Sequence, residues 1–291
     1  MNQKYDISII TVNFNGYKDT CELIESIPFD LVSEVIVVDN ASKKDEASML
    51  KDKYPQIKIV RSEKNLGFAG GNNLGIKVST GRYLYFLNND TVIKDFNVKS
   101  LVDRLESDSK IGMVCPKIRF TWANQPIQFA GYTPLSKITV RNQSIGFGEE
   151  DKGQYDEAHP TPYAHGAAMI CKREVIEKAG MMPEDFFLYY EELDWSMMIS
   201  RAGYQIWYDP GMTVFHKESQ TTGQHSPLRT FYITRNRLLL VKRNFTAPVK
   251  YLSYLYLIFV VGLRDCIANA LKGRFDLVKA TLRGIHSFQK Y

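Results

Sequence analysis

The strongest constraint on the fold is an alternation of short apolar runs and helix-like stretches in the first ninety residues. Each run spans four to six positions rich in β-branched or aromatic residues, which is the length of a buried strand. Strands that alternate with helices form a parallel sheet, so the pattern predicts an α/β fold with ligands at the carboxyl ends of its strands. The predicted strands are residues 7–12, 35–38, 57–60 and 83–87.

Polar side chains stand at the ends of three of these strands. Thr11 and Asn13 close the first, Asp39 and Asn40 follow the second, and Asn88-Asn89-Asp90 follows the fourth. Because the carboxyl ends of parallel strands meet at one edge, we expect these side chains to line one site. A carboxylate such as Asp90 can hold a divalent cation there, and the cation would neutralise a diphosphate. Taken alone, the sequence Asn-Asn-Asp-Thr is equally typical of a turn.

A cluster of three acidic residues indicates where a general base could lie. Glu191, Glu192 and Asp194 lie at the predicted start of a helix, where the helix dipole favours negative charge. Crowding raises the pKa of one carboxyl toward that of a useful general base. Acidic helix starts also occur on solvated surfaces, but the aromatic run 186–190 immediately before this one favours burial in a cleft.

Two weaker features narrow the class of protein. His216 follows a short apolar run and is either a metal ligand or phosphate contact, or a structural histidine. The glycine-rich stretch 67–73 opens a predicted helix and allows close approach of a ligand. It does not match Gly-x-Gly-x-x-Gly, which argues against a dehydrogenase. The first strand also lacks the basic, glycine-rich phosphate loop of a nucleotidyltransferase.

Charge is distributed unevenly along the 291 residues, whose net charge is +5. Residues 229–291 contain 12 Lys or Arg and two Asp, a local charge of +10, so residues 1–228 carry −5. An acidic body argues against a nucleic-acid-binding protein. The four cysteines are widely spaced and residues 1–6 are polar, so we expect reduced thiols and a cytoplasmic protein without a signal peptide.

The basic C-terminal segment is predicted to be mostly helical. Arg235-Asn236-Arg237, Lys242-Arg243 and the uncharged apolar run 251–263 predict an amphipathic surface that meets an anionic membrane or a lipid-linked acceptor. The run is shorter than the roughly 20 residues that span a bilayer. The alternative is that it packs on the rest of the chain or forms a homodimer. We therefore predict two domains, residues 1–228 and 229–291.

Seven short motifs follow one another along the chain. Together they resemble the family-two inverting glycosyltransferases with the GT-A fold, especially bacterial rhamnosyltransferase-like members. That fold is Rossmann-like, with a mostly parallel sheet flanked by helices, and here a C-terminal helical extension would follow it. The motifs, within residues 5–245, are Thr11-Val12-Asn13-Phe14-Asn15, Val37-Val38-Asp39-Asn40-Ala41-Ser42, Asn65-Leu66-Gly67 through Asn73-Leu74-Gly75, Leu87-Asn88-Asn89-Asp90, His165-Gly166-Ala167-Ala168-Met169, Tyr190-Glu191-Glu192-Leu193-Asp194-Trp195 and Phe215-His216.

The resemblance implies where a nucleotide sugar and a metal would bind. Asn88-Asn89-Asp90 occupies the place of the family's Asp-x-Asp motif, so Asn89 and Asp90 are expected to bind the donor, and Asp90, with His216, is expected to hold Mg²⁺ or Mn²⁺ against the diphosphate. Asn88 replaces the first Asp of that motif and removes one charge. The other expected donor-binding residues, for the base, ribose and sugar, are Thr11, Asn13, Asp39, Asn40, Gly67 and Asn72.

The resemblance also implies the reaction. Glu192 matches the catalytic base, and Glu191, Asp194 and His165 would support that base or hold the acceptor. The expected function is a single inverting displacement from dTDP-rhamnose or a UDP-hexose to a hydroxyl of a cell-surface polysaccharide or lipid-linked oligosaccharide. A nucleotide-sugar-binding protein without turnover is the alternative, and Asn88 is the feature that suggests it.

Overall fold

The computed structural model describes residues 4–218 and 226–290, and the strands within them form a single ten-stranded sheet. The strands are β1 (Tyr5–Asn13), β2 (Val32–Asp39), β3 (Lys58–Arg61), β4 (Tyr83–Leu87), β5 (Thr91–Ile93), β6 (Ile111–Phe120), β7 (Ile127–Phe129), β8 (His159–Pro160), β9 (Ala168–Lys172) and β10 (Gln205–His216). Their order is β3-β2-β1-β4-β9-β6-β10-β5, with β7 paired to β6 and β8 to β10.

The first four strands confirm the predicted parallel arrangement. Strand β1 pairs in parallel with β2 and β4, and β2 pairs in parallel with β3. The register sets Thr11 opposite Val37 and Asn13 opposite Asp39. The polar residues that end these strands therefore meet at one edge of the sheet, as the sequence pattern predicts.

The other half of the sheet is mixed, so the expected mostly parallel character holds only for the first half. Strand β9 is antiparallel to both β4 and β6, whereas β10 is parallel to β6 and antiparallel to β5. The sequence analysis missed β6 because Gly112 and Pro116 interrupt its apolar pattern. Residues 137–139 form a turn.

Helices cover the sheet and bury its apolar residues. Three cysteines, Cys21, Cys115 and Cys171, are buried, and all four are free thiols, as predicted. The helices are α1 (Tyr17–Glu25), α2 (Glu46–Lys53), α3 (Gly67–Val78), α4 (Val98–Ser107), α5 (Arg173–Ala179), α6 (Glu191–Arg201), α7 (Pro227–Asn244), α8 (Val249–Leu255), α9 (Leu263–Leu271) and α10 (Phe275–Ser287).

Helix α7 lies inside the molecule. Its residues Leu238–Val241 join Phe186 and Val140 in a second apolar core, which Leu257 of the following helix also enters. Arg235, Asn236 and Arg237 are buried as well. The expectation that these three residues belong to an exposed basic surface is wrong, because carbonyl groups of neighbouring loops surround them. The predicted domain boundary at residue 228 falls within the first turn of α7.

The next helix is longer than the apolar run from which it was predicted. Helix α8, a π-helical segment (Tyr256–Gly262) and α9 are continuous and form 23 helical residues, Val249–Leu271. By length and composition the whole helix is sufficient to cross a membrane, so the argument that the run is too short no longer applies. Only 17% of its most apolar window is buried, so most of that window faces outward.

Candidate active site

A cavity of about 860 Å³ opens at the carboxyl ends of β1 and β4. It is bordered by the starts of α3 and α6 and by the end of β10. Nine of the thirteen residues predicted from the sequence line it: Asn40, Gly67, Asn72, Asn89, Asp90, His165, Glu191, Glu192 and His216. Thr11, Asn13, Asp39 and Asp194 lie behind its wall, fully buried.

The sequence predicts donor binding where β1, β2 and β4 end, and we call this side of the cavity the donor side. Beneath it, buried polar side chains form a hydrogen-bond network. The Asn13 amide donates to Asp39 Oδ1 at 3.2 Å and to Glu46 Oε2 at 2.9 Å. Thr20 donates to Asn13 Oδ1 at 2.8 Å and accepts from Asn89 at 3.0 Å. Asn13 therefore supports Asn89, which lines the cavity, and does not itself reach the cavity. This corrects the expectation that Asn13 contacts a donor directly.

Two buried oxygens near this network have no hydrogen-bond partner among the described residues. They are Thr11 Oγ1 and Asp39 Oδ2, and the latter lies 3.7 Å from Arg61 Nε. Both side chains are fully buried and neither lines the cavity. Direct contact with a ligand would require movement of the residues in front of them.

Asn40 and Gly67 shape the turn that leads into α3. The Asn40 amide donates to the Gly67 carbonyl, and its oxygen accepts from the Leu66 N–H at 2.9 Å. Gly67 has a φ of +72°, and a Cβ at this position would lie 2.0 Å from the Phe187 carbonyl oxygen. Only glycine fits here, because a side chain would collide with the Phe187 carbonyl group. That carbonyl is held in place by a hydrogen bond from the next residue, Phe68, at 2.8 Å.

Asp90 and His216 form the most plausible metal-binding pair at this edge. His216 Nε2 lies 3.1 Å from Asp90 Oδ1, and its Nδ1 lies 2.8 Å from Gln128 Oε1. Because the Gln128 oxygen accepts, Nδ1 carries the proton and Nε2 of the neutral ring keeps its lone pair. In that tautomer, Asp90 Oδ1 and His216 Nε2 could both bind one cation. Within residues 4–218 and 226–290, no group of three or more His, Cys, Asp or Glu side chains is arranged to hold a metal.

The two glutamates at the start of α6 occupy unlike positions. Glu191 is 3% exposed, and its Oε2 has no hydrogen-bond partner within the described part of the chain. Burial, with a contribution from the charge of Glu192, raises the pKa of Glu191 well above its usual range. Burial also raises the pKa of Glu192, which is the more accessible of the two. The pair thus supplies one accessible carboxyl whose proton affinity suits a base.

His165 lines the same cavity and packs against aromatic side chains. Its ring is stacked on Tyr132, with centroids 6.0 Å apart, and meets His216 edge-on at 6.4 Å. Its Nδ1 accepts a hydrogen bond from the Ala167 N–H at 3.1 Å. Burial, with a smaller contribution from His216, lowers the pKa of His165 to about 3, so the ring is neutral near pH 7.

Asp194 does not face the cavity, which corrects its predicted place beside the base. It follows Glu192 by two residues, about 200° around the helix, so the two side chains leave α6 on opposite sides. Its oxygens accept from Arg243 Nε at 3.1 Å and from the Asn244 amide at 2.5 Å. Asp194 therefore joins α6 to α7.

The sequence of this chain matches the model of glycosyl transferase family 2 over residues 8–180. The chain belongs to this family. The match covers more than half of the sequence and includes the donor side of the cavity, whereas Glu191, Glu192 and His216 lie beyond it. The chain is therefore a glycosyltransferase. The assignment of Glu191, Glu192 and His216 to its site depends on the geometry described above and not on the family match.

Among the relatives of this family 2 glycosyltransferase, one is named for glycan biosynthesis and another for rhamnosyl transfer. The low-salt glycan biosynthesis hexosyltransferase Agl10 of Haloferax volcanii is 26% identical over 290 residues, which is 98% of this chain and 91% of the relative. The dTDP-rhamnosyl transferase RfbF of Shigella flexneri is 24% identical over 86% of each chain.

Solved structures share the GT-A fold with this chain. GalNAc-T7 with UDP, GalNAc and Mn²⁺ has a TM-score of 0.69 at 16% identity, covering 99% of this chain but 56% of that one. The mannosyltransferase PcManGT of Pyrobaculum calidifontis with GDP-Man and Mn²⁺ has a TM-score of 0.59 at 16% identity, covering 99% and 76%. At these identities the likeness shows the fold alone.

Sequence reasoning missed several residues that shape the site of this glycosyltransferase. Gln128 sets the tautomer of His216, and Asn73 holds the segment before α6 through the Met182 backbone. Arg235 and Asn236 hold the loop that immediately precedes Glu191. Gln128 carries no local signal, since its partner is 88 residues away.

Proposed function

We propose that this glycosyltransferase moves a sugar from a nucleoside diphosphate sugar to a hydroxyl group of a glycan or lipid-linked glycan, with inversion at the anomeric carbon. The observation that carries the proposal is that Glu191 and Glu192 line the same cavity as Asp90 and His216. The proposed base and the residues proposed to bind the diphosphate therefore line one cavity. The relative RfbF supports dTDP-rhamnose as donor, and the UDP bound to GalNAc-T7 supports a UDP-hexose.

In the proposed mechanism Glu192 is the catalytic base. It removes the proton of the acceptor hydroxyl, and the resulting oxygen nucleophile forms a bond to the anomeric carbon. The bond from that carbon to the diphosphate breaks as the new bond forms, so the nucleoside diphosphate leaves from the opposite face. The raised pKa of Glu192 brings its proton affinity closer to that of a base that works near neutral pH. Glu191 and His165, on the same cavity, would orient the acceptor.

The residues present fit a divalent cation. Asp90 supplies a carboxylate and His216 an oriented Nε2, and Mg²⁺ bound with substrate phosphates commonly takes only one or two protein carboxylates. We propose that these two side chains hold Mg²⁺ or Mn²⁺, with Asn89 beside them. When bound, the ion would compensate the charge of the departing diphosphate.

The decisive experiment is to replace the base while preserving its size. The donor is first identified by a thermal-shift screen of dTDP-rhamnose, UDP-glucose and UDP-galactose, because a bound donor stabilises the fold. Glu192→Gln is then expected to lower turnover at least about 100-fold, measured as released nucleoside diphosphate, with donor affinity preserved in calorimetry. Glu177→Gln on the exposed face of α5 is the matched control. Turnover near the wild-type value in Glu192→Gln would exclude the proposed base.

The same assay separates catalysis from simple binding. A nucleotide-sugar-binding protein without turnover would bind the donor and release no diphosphate in the wild type. For the metal, we expect donor affinity measured with and without Mn²⁺ to differ in the wild type and to coincide in Asp90→Ala. If Mn²⁺ has the same effect on donor affinity in both proteins, Asp90 does not hold the ion.

We propose further that the catalytic unit includes α7 and that the later helices rest on the cytoplasmic face of an anionic membrane. One series of exposed apolar residues in the helix 249–271 recurs every four positions, Leu252 and Val260 are exposed beside it, and Ser253, Leu257 and Val261 point inward. Exposed Lys272 and Lys279 flank this series and complement anionic headgroups. The outward face consists of Leu255, Phe259, Leu263, Ile267 and Leu271, with Phe275 and Leu282 beyond.

Sedimentation with vesicles tests this surface. Phe259→Ser combined with Leu263→Ser is expected to lower binding to anionic vesicles several-fold and to leave the release of nucleoside diphosphate from a soluble acceptor reaction unchanged. The control replaces Ile138 and Met49, which are exposed elsewhere. Equal vesicle binding of both variants would exclude the membrane. A concentration-dependent increase in mass, lost in the Phe259 and Leu263 variant, would instead assign the face to a second copy of the chain.

A further inference from the structure

A buried polar pair on α7 binds the backbone of the loop that precedes the two glutamates. The Asn236 amide donates to the carbonyl groups of Phe186 at 2.9 Å, Leu188 at 2.7 Å and Tyr189 at 2.8 Å. Arg235 donates to the Phe186 carbonyl at 2.6 Å and orients Asn236 through its Oδ1 at 2.7 Å. Asn236 is fully buried, so this amide is committed entirely to the loop.

The loop held by this pair has an unfavourable backbone conformation. Phe187, Tyr189 and Tyr190 have φ values of 63°, 71° and 75°, in the left-handed region that non-glycine residues rarely adopt. Such residues persist only where surrounding contacts hold them, and they cluster at functional sites. The donated hydrogen bonds of Asn236 fall on the same stretch of backbone. Without them, relaxation of these residues toward ordinary φ values is expected.

The loop connects the two sides of the cavity. Its last strained residue, Tyr190, is the N-cap of α6, so its conformation sets the direction in which Glu191 and Glu192 leave the helix start. At its other end, the Phe187 carbonyl accepts from Phe68 at 2.8 Å, against the turn at Gly67. A change in the loop would therefore move the carboxylates relative to the donor side.

We propose that Arg235 and Asn236 are positioning residues that hold Glu191 and Glu192 in the cavity through this loop. The proposal rests on the proposed function, in which Glu192 is the base. It extends the reacting machinery to α7, a helix that contacts the carboxylates only through the backbone that precedes them. The apolar residues that follow, Leu238–Val241, already attach α7 to the core, so packing alone does not require an amide that binds three carbonyl groups.

The neighbouring arginine provides a matched control. Arg237 is also buried and also donates to backbone carbonyl groups, but these belong to Thr139 and Val140, away from the loop. A variant at Arg237 therefore removes comparable hydrogen bonds from the same helix, and these bonds go to Thr139 and Val140 and not to the backbone of the segment 186–190, where the Arg237 charge acts on the Tyr190 side chain. Any effect common to both variants reflects the stability of α7, whereas an effect confined to Asn236 reflects the loop.

The test compares Asn236→Ala with Arg237→Ala in the full chain. Asn236→Ala is expected to lower kcat 10- to 100-fold with donor KM within about threefold, and to shift the acidic limb of the pH–rate profile, because the environment of the carboxyl pair changes. Arg237→Ala is expected to keep both kcat and that limb near the wild type. Equal losses of kcat in the two variants, or an unchanged kcat in Asn236→Ala, would overturn the proposal. Should Asn236→Ala not fold, Arg235→Lys serves in its place, since it keeps the charge and loses the fixed geometry of the guanidinium.

Hydrogen exchange separates this proposal from the proposed function. Amides of residues 185–190 are expected to exchange at least 10-fold faster in Asn236→Ala than in the wild type, and at the wild-type rate in Arg237→Ala. If the wild type releases no nucleoside diphosphate with any donor, the proposed function fails, and the exchange result still decides whether the pair holds the loop. Unchanged exchange in Asn236→Ala would show that it does not.

Discussion

Helix α7 and the helix 249–271 are adjacent in the chain but differ in composition, since α7 is strongly basic and the helix 249–271 is largely apolar. In α7 the residues Arg235, Asn236 and Arg237 are buried and hold loops beside the cavity. In the helix 249–271 only 17% of the most apolar window is buried, and apolar side chains face outward. A polar segment lies inside and an apolar segment lies outside, which reverses the expectation from composition.

The physical reason is the availability of partners. A buried guanidinium is tolerated where carbonyl groups accept its hydrogen bonds, and the segments 139–140 and 185–189 provide such groups beside α7. Among residues 4–218 and 226–290, the outer helix packs against its neighbours through one side, and its other side is exposed. The basic residues that make up the local charge of +10 therefore fall into two groups. Arg235 and Arg237 are buried and bind loop carbonyl groups, whereas residues such as Lys272 and Lys279 are exposed.

The largest expected effect concerns the attachment of α7 to α6. Asp194→Ala removes the fully buried partner of Arg243 and leaves that arginine with the half-exposed Asp185, so we expect a loss of about 3 kcal/mol in the free energy of unfolding, at the low end for a buried ion pair. Urea denaturation measures it. Asp185→Ala is the control, because Asp185 is a half-exposed partner of the same arginine and should cost less than about 1 kcal/mol. Similar losses in both would mean that α7 is not held through Asp194.

A smaller effect distinguishes the two faces of the outer helix. Leu257→Ala opens a cavity in the core shared with α7, so we expect a loss of about 2–3 kcal/mol, at the low end for a buried leucine. Phe259→Ala, two residues away on the exposed face, should change the free energy of unfolding by no more than about 0.5 kcal/mol. Thermal unfolding of both variants at one protein concentration tests the contrast. A large loss for Phe259→Ala would show that this face is covered.

The last expected effect is a pH dependence that belongs to the interior. The pKa of His165 is about 3 in the folded protein and 6.5 when unperturbed, so the unfolded chain binds the extra proton between these values. Stability is therefore lost as the pH falls from 6.5 toward 3, by up to about 1.4 kcal/mol per pH unit. His165→Gln should remove this contribution in urea titrations at pH 7, 5.5 and 4.5. The control replaces exposed His286 on α10 in the same way, and parallel curves for His165→Gln and the wild type would contradict the assignment.

Much of the donor half could be predicted from the sequence. The four parallel strands, the polar residues at their ends and the glycine required at position 67 follow from local patterns. The acidic start of α6 was also correctly placed on the cavity. Errors arose where a residue's role depends on a distant partner. Asp194 turns toward α7, and Asn13 supports Asn89 from behind the wall.

The family, the order of the first strands and most of the residues that line the cavity follow from the amino-acid sequence, because hydrophobic period and short motifs act within a few residues. Three features follow only from the packed fold: which side of α6 faces the cavity, the contact of Gln128 with His216, and the support that α7 gives to the loop before Glu191. Each of these depends on contacts between segments tens of residues apart. Such contacts form only when the sheet and the C-terminal helices pack together, and no local pattern encodes them.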